Sequence, residues 1–209
     1  MSNVLEMLKE AVRILEEKEG KEKTVEVSSL SPGEVFKDKD GESYIVLEHK
    51  QTGETAVLKK AILECMQFGG NNDWRDSHIR KELNSVYLKA LEEKFGEENI
   101  HTHTVDLLSL DGLDDYGECQ DKVSILTADE YKKYRRAIDK STDGPIDDWW
   151  WLCTPDSTPS GAGSSYVRVV LSSGTFHYVA ANVSNNAVRP FFVLDSSTSV
   201  FPESEEEDE

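Results

Sequence analysis

The sequence predicts an α+β fold: small twisted antiparallel sheets flanked by two helices, with a separate helix ahead of them and an acidic tail behind. Three observations predict it. Short strand-forming runs separated by turn residues fill the region from Val25 to Leu58. Two amphipathic stretches, each bounded by strand patterns, supply the helices. A closing block from Trp149 to Leu194 alternates β-branched and aromatic runs with Gly/Ser/Asn loops.

Leu5, Leu8, Val12 and Leu15 alternate spacings of three and four, which places them on one face of a helix over residues 3–18, ended near Gly20. Two heptads are too short for an independent coiled coil. The seam either packs on its own domain or joins copies of the chain into an oligomer such as a trimer. Residues 1–20 are therefore set apart from a domain over 24–196.

That domain opens with Val25 and Val27 alternating with charges, then a turn at Pro32-Gly33. Val35-Phe36, Tyr44-Ile45-Val46-Leu47 and Thr55-Ala56-Val57-Leu58, joined by Asp38-Lys39-Asp40-Gly41 and Gln51-Thr52-Gly53-Glu54, form a three-stranded meander. A helix capped by Asp76 or Ser77 carries Ile79, Leu83, Val86, Tyr87 and Leu91 as its apolar stripe. Arg80 reads as a surface residue of that helix. Residues 121–126 form a strand. Thr127 and Glu130 have the spacing of a capping box, and the helix after them runs through Tyr131, Tyr134 and Ile138. Tyr166–Leu171 and Thr175–Val179 form a hairpin about Ser172-Ser173-Gly174. Arg189–Leu194 closes the fold, with Pro190 suggesting an edge or a bulge.

Composition excludes several classes. A formal charge of −18 and a pI near 4.7 oppose binding to nucleic acid or to anionic membranes. Six acidic residues in the last seven positions mark residues 197–209 as a self-repelling, disordered tail. No apolar run reaches a membrane span, and Met1-Ser2-Asn3-Val4 lacks the secretory pattern. The expectation is a soluble product made in the cytoplasm. Cys65, Cys119 and Cys153 have neither a disulfide nor a zinc pattern and read as buried thiols. His101 and His103 alternate on one strand face, as a metal pair would. No third ligand stands at a matching spacing, so neither a metal nor a cofactor is expected.

The segment Thr154–Pro190 carries only Asp156, Arg168 and Arg189 as ionised side chains, in a chain that is 31% charged. Tyr with Ser, Gly and Asn is the composition of a presented binding surface. From Leu152 to Pro202 there is no Lys, Glu, Gln, Met or Trp. Two causes fit. Strands and loops disfavour helix formers. Alternatively, codons randomised at their first two bases, with a pyrimidine kept third, encode none of these five residues.

Trp74-Arg75, Ile79-Arg80, Leu83-Asn84, Asp121-Lys122-Val123, Leu126-Thr127, Glu130-Tyr131, Trp150-Trp151-Leu152 and Val188-Arg189-Pro190 occur in order. Together they resemble a bacterial and phage family of uncharacterised domains with a WWLR(S/T)P…GVRPA pattern, over roughly Val35 to Leu194. Cys153 stands where that pattern has Arg, and Ala187 where it has Gly. Some members resemble the variable proteins of diversity-generating retroelements, which rewrite adenines in part of a gene and commonly have a C-type-lectin-like fold. The resemblance implies such a core, a variable segment over about 153–190, and Trp150, Trp151, Gly174 and Arg189 as scaffold.

Within the segment, apolar and turn-forming residues (Val167, Val169, Leu171, Gly174, Val179, Val183, Val188 and Phe192) are expected to hold the fold. The ligand face is expected to comprise Asp156, Ser157, Thr158, Ser160, Ser164, Tyr166, Ser172, Ser173, Thr175, His177, Tyr178, Asn182, Ser184, Asn185 and Asn186, with Tyr166, His177 and Tyr178 as anchors. The implied partner is a protein or glycan on a cell surface. An enzyme is not expected. Cys153, His177 and Asp156 are near in sequence, but no nucleophile elbow, phosphate loop or HExxH helix is present. The alternative is an undiversified structural module of a phage tail or capsid, which would make the protein virion-associated.

Overall fold

The structure, a computed structural model, describes Met7, Lys9, residues 24–141 and residues 148–203. The predicted N-terminal seam and residues 204–209 of the acidic tail lie outside the described residues. The strands are β1 (Val25–Glu26), β2 (Val35–Lys37), β3 (Ser43–His49), β4 (Glu54–Lys59), β5 (Ile100–His101), β6 (His103–Asp106), β7 (Glu118–Asp121), β8 (Val123–Ile125), β9 (Trp150–Pro155), β10 (Tyr166–Val170), β11 (Phe176–Ala180), β12 (Pro190–Asp195) and β13 (Ser199–Pro202). The helices are α1 (His78–Glu82), α2 (Leu88–Phe95) and α3 (Ala128–Lys140).

This is an α+β architecture with antiparallel sheets and flanking helices. The main sheet runs β1-β13-β2-β3-β4-β12-β5, with β8 also on β12; β11-β10-β9 and β6-β7 form two smaller sheets. Every strand ladder is antiparallel. The meander appears as β2, β3 and β4.

The main sheet is larger than the sequence suggests because its central strands are buried on both faces. Such strands read as unbroken apolar runs rather than as alternation. Val46, Val57, Phe192 and Leu194 face one core, which also holds Trp74, Ile79, Leu83, Leu91 and Phe95 from the α1–α2 side. Ile45, Leu47, Ala56, Leu58, Phe191 and Val193 face a second core, closed by Ala128, Tyr131, Tyr134 and Ile138 of α3. Strand β9 follows the same rule: Trp151 and Cys153 enter the first core, Trp150 and Leu152 the second.

Several expectations need correction. Pro190 marks neither an edge nor a bulge. It is the first residue of β12, an interior strand of the main sheet, which pairs with β4 on one side and with β8 and β5 on the other. Proline is tolerated at a strand start because its missing N–H interrupts the ladder least there. The tail does not begin at 197. Ser199–Pro202 pairs with β1 and β2, and Thr198 and Val200 are buried. The helix after Ser77 is interrupted by a π-turn over Leu83–Tyr87, where Asn84 has φ −93° and ψ 16°. The Asn84 side chain is the cause: it donates to the Val123 carbonyl and accepts from the Val123 N–H, tying the helix to β8. Arg80 is not a free surface residue. It forms an ion pair with buried Asp121, which also accepts from the Trp74 indole N–H at 2.8 Å. Of the three thiols only Cys153 is buried; Cys119 is half-buried and Cys65 exposed.

The capping box is formed: Thr127 Oγ1 accepts from the Glu130 N–H, and the Glu130 carboxylate accepts from the Thr127 N–H. Among the described residues no helix is long and apolar enough to cross a membrane.

Two measurements check this packing. In denaturant unfolding, Thr127→Ala should cost about 1 kcal/mol, whereas Phe192→Ala, in the interior strand β12, should cost about 3–5 kcal/mol. A pH titration tests His103, which lies buried on β6 with Nε2 against Ser124 Oγ at 2.9 Å. Burial pushes its imidazole down to about 4. The folded state then binds fewer protons than the unfolded state between about pH 6.5 and pH 4. Stability should therefore fall as pH drops through that window, and the His103→Gln variant should lose this component of the slope.

Candidate functional site

The hairpin β10–β11 stands on β9, and its position is set from three sides. Below, β9 is fixed by the Trp151 N–H donating to the Ala187 carbonyl and the Cys153 N–H to that of Leu126. At the tip, Gly174 has φ 73°, a conformation that favours glycine, and its carbonyl accepts from the Tyr131 hydroxyl and the Arg135 guanidinium of α3. At the open end, Asn72 is fully buried. Its amide donates to the carbonyls of Ser157 and Tyr166 at 2.8 and 2.9 Å, its side-chain oxygen accepts from the Tyr116 hydroxyl, and its N–H donates to the Ser164 carbonyl.

The register pairs Arg168 with Tyr178, Val169 with His177 and Val170 with Phe176. Alternation then divides the hairpin. Val167, Val169 and Val179 face the first core. Phe176 and Val170, near the tip, pack on the second core, where Phe176 meets Tyr131. Further from the tip that same face is uncovered. Tyr166 and Tyr178 are 46% and 48% exposed, and their rings stand edge to face at 5.3 Å. The Arg168 guanidinium lies 5.8 Å from the Tyr178 ring centre and donates to Asp156 at 2.7 Å. On the other face His177 stacks on Trp149 at 5.7 Å and 24°. The His177 and Tyr178 rings meet at 5.1 Å, so Trp149, His177, Tyr178 and Tyr166 form a chain of exposed rings that passes from one face of the hairpin to the other, beside one paired cation.

Strand β11 ends its sheet. The bonds from Leu171 N–H to the Thr175 carbonyl and from Ala181 N–H to that of Ser165 fix which residues pair within the ladder. By alternation the Tyr178 backbone faces the open edge. Its N–H donates to His177 Nδ1 at 2.7 Å, so the imidazole covers that point of the edge.

The structure separates the residues read from the sequence as a single face. Ser157, Thr158 and Asn186 are buried and do not point outward. Each closes local structure instead. Ser157 Oγ accepts from the Ala162 N–H, the Thr158 carbonyl closes the turn to Gly161 and Gly163, and the Asn186 carbonyl accepts from the Met66 N–H. A serine, threonine or asparagine in a loop reads as surface although its polar atoms can be satisfied internally, which sequence does not show. Asp156 is half-buried on Arg168. Ser160 is exposed but held by Asp115, to which both its N–H and its hydroxyl donate. Ser164 is half-buried. Asn182, Ser184 and Asn185 are exposed in the loop after β11. Ser172, Ser173 and Thr175 lie at the hairpin tip, where Ser173 and Thr175 hydroxyls meet; Thr175 lies about 10 Å along β11 from Tyr178, and Ser172 about 20 Å along β10 from Tyr166, at strand rise.

Sequence reasoning missed Trp149, Arg168, Asn72 and Asp115. Trp149 had a signal: it is the one tryptophan of the triplet outside β9, and it is 39% exposed. The scaffold residues Trp150, Trp151 and Arg189 are fully buried. Arg189 donates to the carbonyls of Lys59 and Lys60 and lies 5.5 Å from the Trp150 ring centre. Cys153 donates from Sγ to the Ile125 carbonyl, and burial pushes its thiol well up. It is not assembled with His177 or Asp156 as a nucleophile. Among the described residues no group of three metal-ligating side chains is present.

The fold and this surface define a class: an antiparallel α+β domain that carries a polar and aromatic hairpin on a doubly buried sheet. The chain belongs to the DUF6273 family, a domain of unknown function, whose model matches residues 52–196. No curated protein and no solved structure matches the chain.

Two substitutions separate the roles within the segment. Asn72→Ala removes the side-chain donor to the Ser157 carbonyl and the acceptor of the buried Tyr116 hydroxyl, while the Tyr166 carbonyl keeps the Asp156 N–H, and should cost about 2 kcal/mol in unfolding free energy. Asn182→Ala, in the exposed loop, should stay within about 0.5 kcal/mol of the parent.

Proposed function

We propose that this chain is a non-enzymatic ligand-binding domain with a C-type-lectin-like core, whose segment 153–190 is diversified by a retroelement. The observation that carries the reading is the row Trp149, His177, Tyr178 and Tyr166, with Arg168 and Asp156 beside it. Exposed aromatic rings offer large contact area at small entropic cost, and rings with arginine dominate binding hot spots. Asn182, Ser184, Asn185 and Ser164 provide adaptable hydrogen bonding nearby. The face is smaller than the sequence alone indicates, since Ser157, Thr158 and Asn186 are buried.

The genetic reading gains a physical partition. Tyr, His, Asn, Ser, Asp and Arg all lie within the set that a codon randomised at its first two bases, with a third-position pyrimidine, encodes. Trp149 does not, and it lies upstream of the stretch that lacks Lys, Glu, Gln, Met and Trp. In this reading Trp149 is a fixed platform and His177 a variable ring resting on it. The ligand is a protein or glycan of a cell surface, and the net charge of −18 disfavours nucleic acid.

The test has two arms. The full chain is screened on a glycan array and against arrayed cell-surface proteins. For any binder found, Tyr166→Ala with Tyr178→Ala should weaken binding at least about tenfold, while the unfolding free energy moves by no more than about 0.5 kcal/mol per site. Loss of folding would instead assign these rings to the core. In the neighbouring DNA, a reverse transcriptase gene and an imperfect repeat of codons 155–190 differing at adenines should be present. Finding neither would leave an undiversified structural module as the reading.

A further inference from the structure

A second surface lies where the α1–α2 side of the first core meets the chain that follows the hairpin. Leu83, Val86, Tyr87 and Ala90 follow one another at helical spacing along the π-turn and α2. With Leu63, Met66 and Val188 they line an apolar groove of about 400 Å³, rimmed by Glu64 and Glu82. Val86 is 64% exposed, more than any other large apolar residue described in the sheet-bearing domain. A helix stripe of this kind normally meets another element.

We propose that the groove is the seat of this chain's own N-terminal segment, residues 3–18. Leu5, Leu8, Val12 and Leu15 form an apolar seam of matching character, and an amphipathic helix laid in an apolar groove is a recurrent docking mode. Reach favours it too. Residues 3–18 as a helix span about 24 Å, and residues 19–23 extend up to about 17 Å. The segment joins the domain at Val25, which packs on the same core cluster as Leu63, Met66 and Tyr87.

Cross-linking in the full chain tests this. Leu8→Cys combined with Val86→Cys should form a disulfide within one chain under mild oxidation, seen as a monomer-mass band and mapped by peptide masses. It should form about tenfold faster than in Met7→Cys with Val86→Cys, which corresponds to about 1.4 kcal/mol of positional preference. A dimer-mass band would assign the seam to a second copy. Equal rates in the two pairs, or no 8–86 link in either, would equally overturn the proposal. A second variant guards against a cysteine-specific failure. Val86→Glu places a charge in the exposed groove, and trypsin cleavage after Lys9 and Arg13 should then rise about tenfold as the docked population falls, with the unfolding midpoint of the domain unchanged. Unchanged cleavage would also overturn the proposal.

Discussion

Everything in this fold depends on strand β12 having no free face. Phe192 and Leu194 project into one core and Phe191 and Val193 into the other, while both edges of the strand are paired. The helices α1 and α2 on one side and α3 on the other therefore share a single wall. Trp151 and Trp150 continue this two-sided pattern into β9, so the hairpin above it stands on both cores at once. A cavity opened at any of these side chains is felt on a surface more than one layer away, because interiors packed this closely transmit strain.

Arg189 shows how stringent that arrangement is. It is fully buried, and no carboxylate pairs with it among the described residues; its neighbours are two main-chain carbonyls and the Trp150 ring. Burial lowers its pKa to about 10, which still leaves it charged at neutral pH. One guanidinium nitrogen, Nη1, has no hydrogen-bond partner among the described residues. A buried cation held by carbonyls and a ring is costly unless the geometry is close to fixed. The end of β4 and the start of β12 are consequently locked to one another at the point where the chain leaves the hairpin and re-enters the main sheet.

Most of the elements were legible in the sequence because they rest on short-range rules. The meander followed from its turns, α3 from the Thr127–Glu130 box, and the hairpin from Ser172-Ser173-Gly174. What escaped was set by tertiary pairing. Pro190 looked peripheral because its ring forbids a ladder bond, yet a strand's first residue tolerates that wherever the strand lies. Arg80 looked solvated because its partner Asp121 is 41 positions away. Of the surface proposed to bind, the exposure of Tyr166 and Tyr178 was legible and the burial of other members was not. Tyr166 and Tyr178 alternate with valines, so their outward direction follows from strand period. Ser157, Thr158 and Asn186 have no such period, and Asn72, which anchors the segment, lies 85 residues upstream of Ser157.

The bond from the Tyr178 N–H to the His177 ring reaches beyond local geometry. An edge strand with bare main-chain groups is a template on which further copies of a chain can add strand by strand. Here one side chain shields the middle of that edge, at a position that the proposed diversification would change. A repertoire built on this hairpin would be filtered twice: once by what each version binds, and once by whether the residue at 177 still keeps neighbouring molecules from zipping onto β11. Colloidal behaviour, and not affinity alone, would then limit how much variety this site can express.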